Sequence, residues 1–316
     1  MCKERPIGKS RFAYGKNVRR KRFLLAAAAL ALVAVGASAL SRLPGNPETG
    51  GRRQDRSELL RLWEAGAFGE VHRLTGEALA TRPLDYFLLT MRGFSAYQLG
   101  VSQVDSRAAG DFFGDSVRAL RQAALLREAE GDGRVFYVLG KAYFNKGDGF
   151  ADLAVRYLER AREMGHEASD IPEILGLAHA AIGDYRASVV AFSQALQATR
   201  PSALLLFHIA GSYVALGELE KARAYLTRGV AVSVDSRTTV RARLFLAEVL
   251  RMMGDVEGAM AQIAGVIEDA GENADARFQL GEIYASLGNN VRARAEWRRA
   301  RDIDPAHARA NARLSS

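Results

Sequence analysis

The sequence predicts an all-α protein: an α-solenoid of about seven stacked antiparallel helix pairs, preceded by one N-terminal transmembrane helix. Three observations carry this expectation. Glycines recur at 66, 100, 147, 183, 217, 254 and 288, at separations of 34, 47, 36, 34, 37 and 34 residues. Each interval holds two amphipathic stretches at helical spacing. Eighteen uncharged residues, Phe23 to Leu40, directly follow the basic run Arg19-Arg-Lys-Arg22.

Charge separates the N-terminus from the body. The 316-residue chain has net charge +8, and residues 1–22 carry nine basic residues against Glu4 alone. From Phe23 onward there are 35 basic and 35 acidic residues, so the body has no net charge to attract nucleic acid or other polyanions. Nucleic-acid binding is therefore not expected. Cys2 is the only cysteine, which excludes an intramolecular disulfide.

Residues 23–40 would span about 27 Å as a helix, close to the hydrocarbon thickness of a bilayer. The basic cluster before the span places residues 1–22 in the cytoplasm and the body across the membrane. This gives a single-pass inner-membrane protein with a periplasmic C-terminal domain. The alternative is a signal peptide cleaved near Ala39, because Ala37-Ser-Ala39 has the small residues a peptidase requires. Either way the body is exported. Residues 41–54, with two prolines and three glycines, read as a flexible linker.

The solenoid is expected over 55–305, beginning with a degenerate unit, Leu59…Leu62…Gly66…Val71…Thr75…Ala78…Pro83. A second unit opens at Gly93 and Gly100 and resumes at Ser116, Leu120 and Ala123 after an insertion over Val101–Asp111. The third has Gly140, Tyr143 and Gly147, then skips two residues before Ala154, Leu158 and Ala161. The later units repeat Gly176…Gly183…Phe192, Ala210…Gly217…Leu226, Ala247…Gly254…Ile263 and Gly281…Gly288…Trp297. Small residues at Gly140, Gly176, Ala210, Ala247 and Gly281, and at Ala154, Ala222, Ala259 and Ala293, would let paired helices approach closely. Leu158, Phe192, Leu226, Ile263 and Trp297 would then fill the space against the next unit, each contributing about 1.5–3 kcal/mol by burial. Residues 306–316 would add a capping helix, which closes the apolar end of such an array.

The unit with Leu280, Gly281, Tyr284, Gly288, Ala293, Trp297, Ala300 and Pro305 resembles the tetratricopeptide repeat (TPR), with Arg277 where the family has its first aromatic residue. The resemblance extends over about 52–305 and to membrane-anchored bacterial envelope proteins of this type. It implies a right-handed superhelix whose first helices line a concave groove for a peptide or partner helix. Those positions correspond to Phe94, Tyr97, Tyr137, Lys141, Phe144, Leu177, Phe207, Val214, Leu244 and Glu248, a groove apolar toward its N-terminal half and acidic near Glu248 and Glu282. The basic and asparagine residues with which some relatives clamp a C-terminal carboxylate are missing.

No catalytic constellation is expected, and no cofactor or metal. The five histidines, His72, His166, His179, His208 and His307, include no HExxH pair, and His179 reads as a satisfied core histidine. The expected role is a non-enzymatic scaffold or chaperone-like adaptor with protein or peptide partners. The alternative is a structural subunit of a larger envelope assembly (secretion, pilus or cell-wall machinery) or a self-associating solenoid. The oligomeric state is open.

Overall fold

The computed structural model describes residues 50–198 and 200–315. The basic tail and the apolar span 23–40 lie outside the described residues. No helix among the described residues is long and apolar enough to cross a membrane. The described residues form fifteen α-helices and no strand. α1 (Gly50–Glu64) starts inside the segment read as linker, and α2 (Phe68–Thr81) completes the first hairpin. The next pairs are α3 (Tyr86–Ser102) with α4 (Ser106–Ala123), and α5 (Gly133–Lys146) with α6 (Ala151–Glu163). Then follow α7 (Ile171–Ile182) with α8 (Tyr185–Ala198), and α9 (Ala203–Ala215) with α10 (Leu219–Val232). The last pairs are α11 (Ser236–Met253) with α12 (Val256–Ala270), and α13 (Ala274–Ser286) with α14 (Asn290–Ile303), before a lone α15 (Ala308–Ser315). The chain divides into two compact units, one ending at Ile174 and the other starting at Leu175.

In the N-terminal unit, Trp63 is buried with its ring 4.9 Å from Phe68 across the first turn. Between α3 and α4 the backbones lie so close that a Cβ on Gly93 would meet Leu120 at 2.4 Å. Gly100 differs from its assignment as a turn glycine. It lies within α3, where an added Cβ would meet the Phe113 ring at 2.7 Å, so it permits helix contact. The connection is made by 103–105, and Asp105 caps α4 by accepting from the Ala108 amide at 2.7 Å. Most of the expected insertion Val101–Asp111 is therefore helix, the end of α3 and the start of α4. The two extra residues before Ala154 are taken up by a 3₁₀ turn at Asp148–Phe150.

In the C-terminal unit, the turn glycines Gly183, Gly217, Gly254 and Gly288 have φ of 85°, 78°, 83° and 76°. Each turn repeats one hydrogen-bond pair, as at Gly288. There the glycine amide donates to Ala285 O (3.0 Å) and the following Asn289 amide to Tyr284 O (2.9 Å). This closure requires a left-handed residue, which glycine supplies at least cost. The next side chain then caps the second helix: Asp184, Asp255 and Asn289 accept from the amides of Ala187, Gly258 and Arg292.

Close approach recurs as expected, with one correction. Each large second-helix side chain faces the small residue of its own pair: an added Cβ on Gly176 would meet Phe192 at 2.5 Å, and one on Gly281 would meet Trp297 at 2.4 Å. It also reaches the next pair, since Phe192 shares a core cluster with Leu205 and Ile209. The side chain fills both spaces because it spans the width of one helix. α15 packs against the last pair. His307 Nδ1 accepts from the Ala310 amide (3.1 Å), Ala310 is buried, and Arg313 pairs with Glu282 through two bonds of 2.9 and 2.6 Å.

Candidate partner-binding faces

Counting from the small residue that fixes each first helix, the positions three before, one after and four after stand on one face, because 3.6 residues complete a turn. In the N-terminal unit this face carries Phe94, Tyr97, Tyr137, Lys141 and Phe144. All five are buried, Lys141 completely. Its ammonium donates to Asp170 Oδ2 at 2.7 Å and to the Tyr137 hydroxyl at 2.8 Å. It also lies 4.7 Å from the Tyr137 ring centre and 5.7 Å from that of Tyr97, where the negative ring faces stabilise a cation.

The electrostatics follow from burial. Desolvation lowers the proton affinity of Lys141, and Asp170 opposes this by favouring the ammonium. Burial, followed by the Asp170 charge, pushes the Tyr137 hydroxyl far above the usual phenol range, so it stays protonated and donates to Asp170 at 2.8 Å. Burial lowers His166, whose ring lies 4.7 Å from that of Tyr137 and whose Nε2 has no hydrogen-bond partner. Burial also raises the Glu173 carboxyl, and neighbouring Asp170 raises it further.

In the C-terminal unit the same face carries Leu177, Phe207, Val214, Leu244 and Glu248. Val214 and Leu244 are buried, while Leu177, Phe207 and Glu248 remain partly exposed. Arg241 stacks its guanidinium 5.1 Å from the Phe207 ring centre, and the Phe245 ring lies 5.0 Å from it. The expected acidic end is charge-balanced, because Arg251 holds Glu248 at 2.6 Å and Arg313 holds Glu282 at 2.6 Å. Arginines on neighbouring turns and on the capping helix supply the missing positive charge.

Seven of the ten positions read as groove-lining are thus buried, because side chains of adjacent first helices cover them. Asp170, Arg241 and Arg251 join this face without having been singled out, and Glu173 stands on it at a position where a carboxylate clamp would need a basic or asparagine residue. Counting six before the small residue would have found Asp170 and Arg241, and four after would have found Arg251. His179 differs from the satisfied core histidine expected: it is partly exposed, and its Nδ1 has no hydrogen bond, with Asp184 at 4.0 Å. His72 Nε2 lies 2.8 Å from Asp115 Oδ2, but Arg92 occupies the same oxygen at 2.7 Å, which ties α2, α3 and α4 together. Asp115 is held below the usual carboxylate range, chiefly by the His72 hydrogen bond. Among the described residues no group of three or more His, Cys, Asp or Glu side chains could hold a metal ion.

The family model of the tetratricopeptide repeat-like domain matches residues 151–314. The C-terminal part of a TPR repeat-containing protein from Cytophaga hutchinsonii is similar in structure, with TM-score 0.59 and 15% identity, over 82% of this chain and 98% of that one. A tetratricopeptide repeat protein from Parabacteroides merdae gives TM-score 0.51 and 15% identity, over 83% and 97%. At these identities the likeness shows the fold alone. No curated protein matches the chain significantly. TPR-like proteins generally mediate protein–protein interaction, and the fold is typically a non-enzymatic scaffold. The family match spans just over half the sequence, and the chain belongs to the tetratricopeptide repeat-like domain family.

Proposed function

We propose that the protein is a membrane-anchored, non-enzymatic adaptor of bacterial-envelope type, which recognises partner proteins or peptides on the first-helix faces of its solenoid. Residues 23–40 cross the inner membrane, residues 1–22 stay in the cytoplasm, and the solenoid lies on the periplasmic side. The observation that carries the recognition role is the C-terminal unit's face. Leu177 and Phe207 stay partly exposed there, with the Arg241 guanidinium over the Phe207 ring and the Glu248–Arg251 pair on the same first-helix register, where packing alone would favour burial of the apolar pair. Apolar anchors within a polar frame are the usual anatomy of a protein interface.

Replacing Leu177 and Phe207 together by serine tests this. In affinity capture from envelope extract, the variant of the tagged full-length protein loses its specific partners by tenfold or more, with helical circular dichroism unchanged. Capture that persists places recognition elsewhere. Tyr137 and Phe144 would be poor probes, because both are buried and their loss perturbs folding. The anchor is tested by the mass of the mature N-terminus: an intact start supports the span, and a start at Leu40 overturns it.

A further inference from the structure

Arg241 stands apart from the other arginines that reach the C-terminal first-helix face. Arg251, Arg309 and Arg313 are each taken up by a carboxylate, Glu248 at 2.6 Å, Asp275 at 2.7 Å and Glu282 at 2.6 Å. Among the described residues Arg241 forms neither an ion pair nor a hydrogen bond, and its guanidinium lies over the Phe207 ring, 5.1 Å from the centre. Arg237, one turn earlier on α11, is exposed and also forms no ion pair among the described residues. Two arginines four residues apart on one helix repel each other. Asp235, the nearest carboxylate in sequence, already accepts from the Arg237 and Thr238 amides at 3.1 Å each. Phe207 and Arg241 are both partly exposed, so a ligand can reach them. Beside them one side chain is missing from the register. The position one after the small residue holds Leu177 in α7, Glu248 in α11 and Glu282 in α13, but a partly exposed Gly211 in α9.

We infer that this face takes an acidic peptide, with an aspartate or glutamate side chain on the Arg241 guanidinium and an adjacent apolar residue over Gly211 against Phe207. The inference rests on the recognition reading above and adds the chemistry of the ligand. The three arginine–carboxylate pairs are neutral, so Arg237 and Arg241 leave two positive charges uncompensated on the face. A carboxylate relieves their repulsion. A guanidinium lying over an aromatic ring keeps the N–H groups of its edge free, and those match a carboxylate in pairs. A basic side chain would meet both arginines, so selection works by rejection as well as by attraction. The wider surface does not favour a nucleic acid in the same place, because the chain from Phe23 onward balances 35 basic against 35 acidic residues.

A phage-displayed library of random nonapeptides, panned on the full-length protein, tests the assignment. Aspartate or glutamate is enriched at one position, with an apolar residue beside it. On wild-type protein, changing that acid to its amide weakens binding about tenfold, the scale of one lost charge-assisted contact. This comparison leaves the protein untouched, so it holds whatever a substitution does to folding. Arg241→Gln weakens the acidic peptide by the same factor and leaves the amide peptide unaffected, because residues in direct contact are not additive. Selected peptides without an acidic position, additive losses in that cycle, or binding of heparin that depends on Arg241 as strongly as peptide binding does each overturn the inference while leaving the recognition reading standing. A library that enriches no sequence, or selected peptides that bind the variant with serine at 177 and 207 as tightly as wild type, overturns the recognition reading and the inference with it.

Discussion

Replacing Asp170 by alanine is expected to lower stability by about 3–5 kcal/mol at pH 7, the usual effect of removing one partner of a buried ion pair. Lys141 is wholly buried, and among the described residues Asp170 is its only carboxylate partner within 4 Å. Without it the ammonium keeps the Tyr137 hydroxyl and two aromatic ring faces, which do not offset the loss of hydration. The reverse change is milder. In Lys141→Met the Asp170 side chain, 24% exposed, still accepts from Tyr137, so the cost stays within about 1.5 kcal/mol for a substitution of similar volume.

The same variant has a pH signature with a definite sign. In Asp170→Ala the folded state holds Lys141 below the ordinary lysine value of 10.5, through burial with no opposing carboxylate. Between that lowered value and 10.5 the unfolded chain binds more protons than the folded one, so stability rises with pH. The deficit against wild type is therefore largest at pH 7 and smaller at pH 9. Urea unfolding at both pH values, with hydrogen exchange of the α5 amides, reads it. A deficit below 1 kcal/mol, or one that grows at pH 9, would show that Lys141 does not depend on Asp170.

The repeat phase was legible in the sequence because two kinds of small residue recur at fixed distances, and the structure gives each its own job. Gly183, Gly217, Gly254 and Gly288 close turns at positive φ, whereas Gly140, Gly176 and Gly281 admit a neighbouring side chain. Gly100 shows the limit of spacing as a guide. It stands 34 residues after Gly66, as a turn glycine should, yet it serves helix contact against Phe113. The 47-residue gap that follows was the available sign that the register had slipped.

The candidate face was legible in position but not in exposure. Lys141 reads as a groove cation from its place on α5, and only the fold brings Asp170, 29 residues later, onto its ammonium. Likewise Glu248 and Glu282 read as acidic until Arg251 and Arg313 are seen to pair with them. Helical periodicity assigns a residue to a face. Burial and net charge depend on which side chains the next helix brings, and those come from another part of the chain.

The contact between Gly176 and Phe192 separates geometry from propensity. Phe192→Ala is expected to cost about 3–5 kcal/mol, because a fully buried ring is removed from between Gly176, Leu205 and Ile209 and a cavity remains. Gly176→Val alone is expected to cost about 1–3 kcal/mol by overpacking, since its Cβ would fall 2.5 Å from two ring carbons of Phe192. Combining them places the valine methyls in the space the ring has left. The double variant should therefore be more stable than the sum of the single losses by about 1–3 kcal/mol, the coupling range of residues in direct contact. Chemical denaturation of the four proteins measures that coupling. Strict additivity would mean that Gly176 is not set by the ring it faces. A positive coupling would mean that the small residue of a first helix and the large residue of its partner are one choice, which explains why they alternate together along the array.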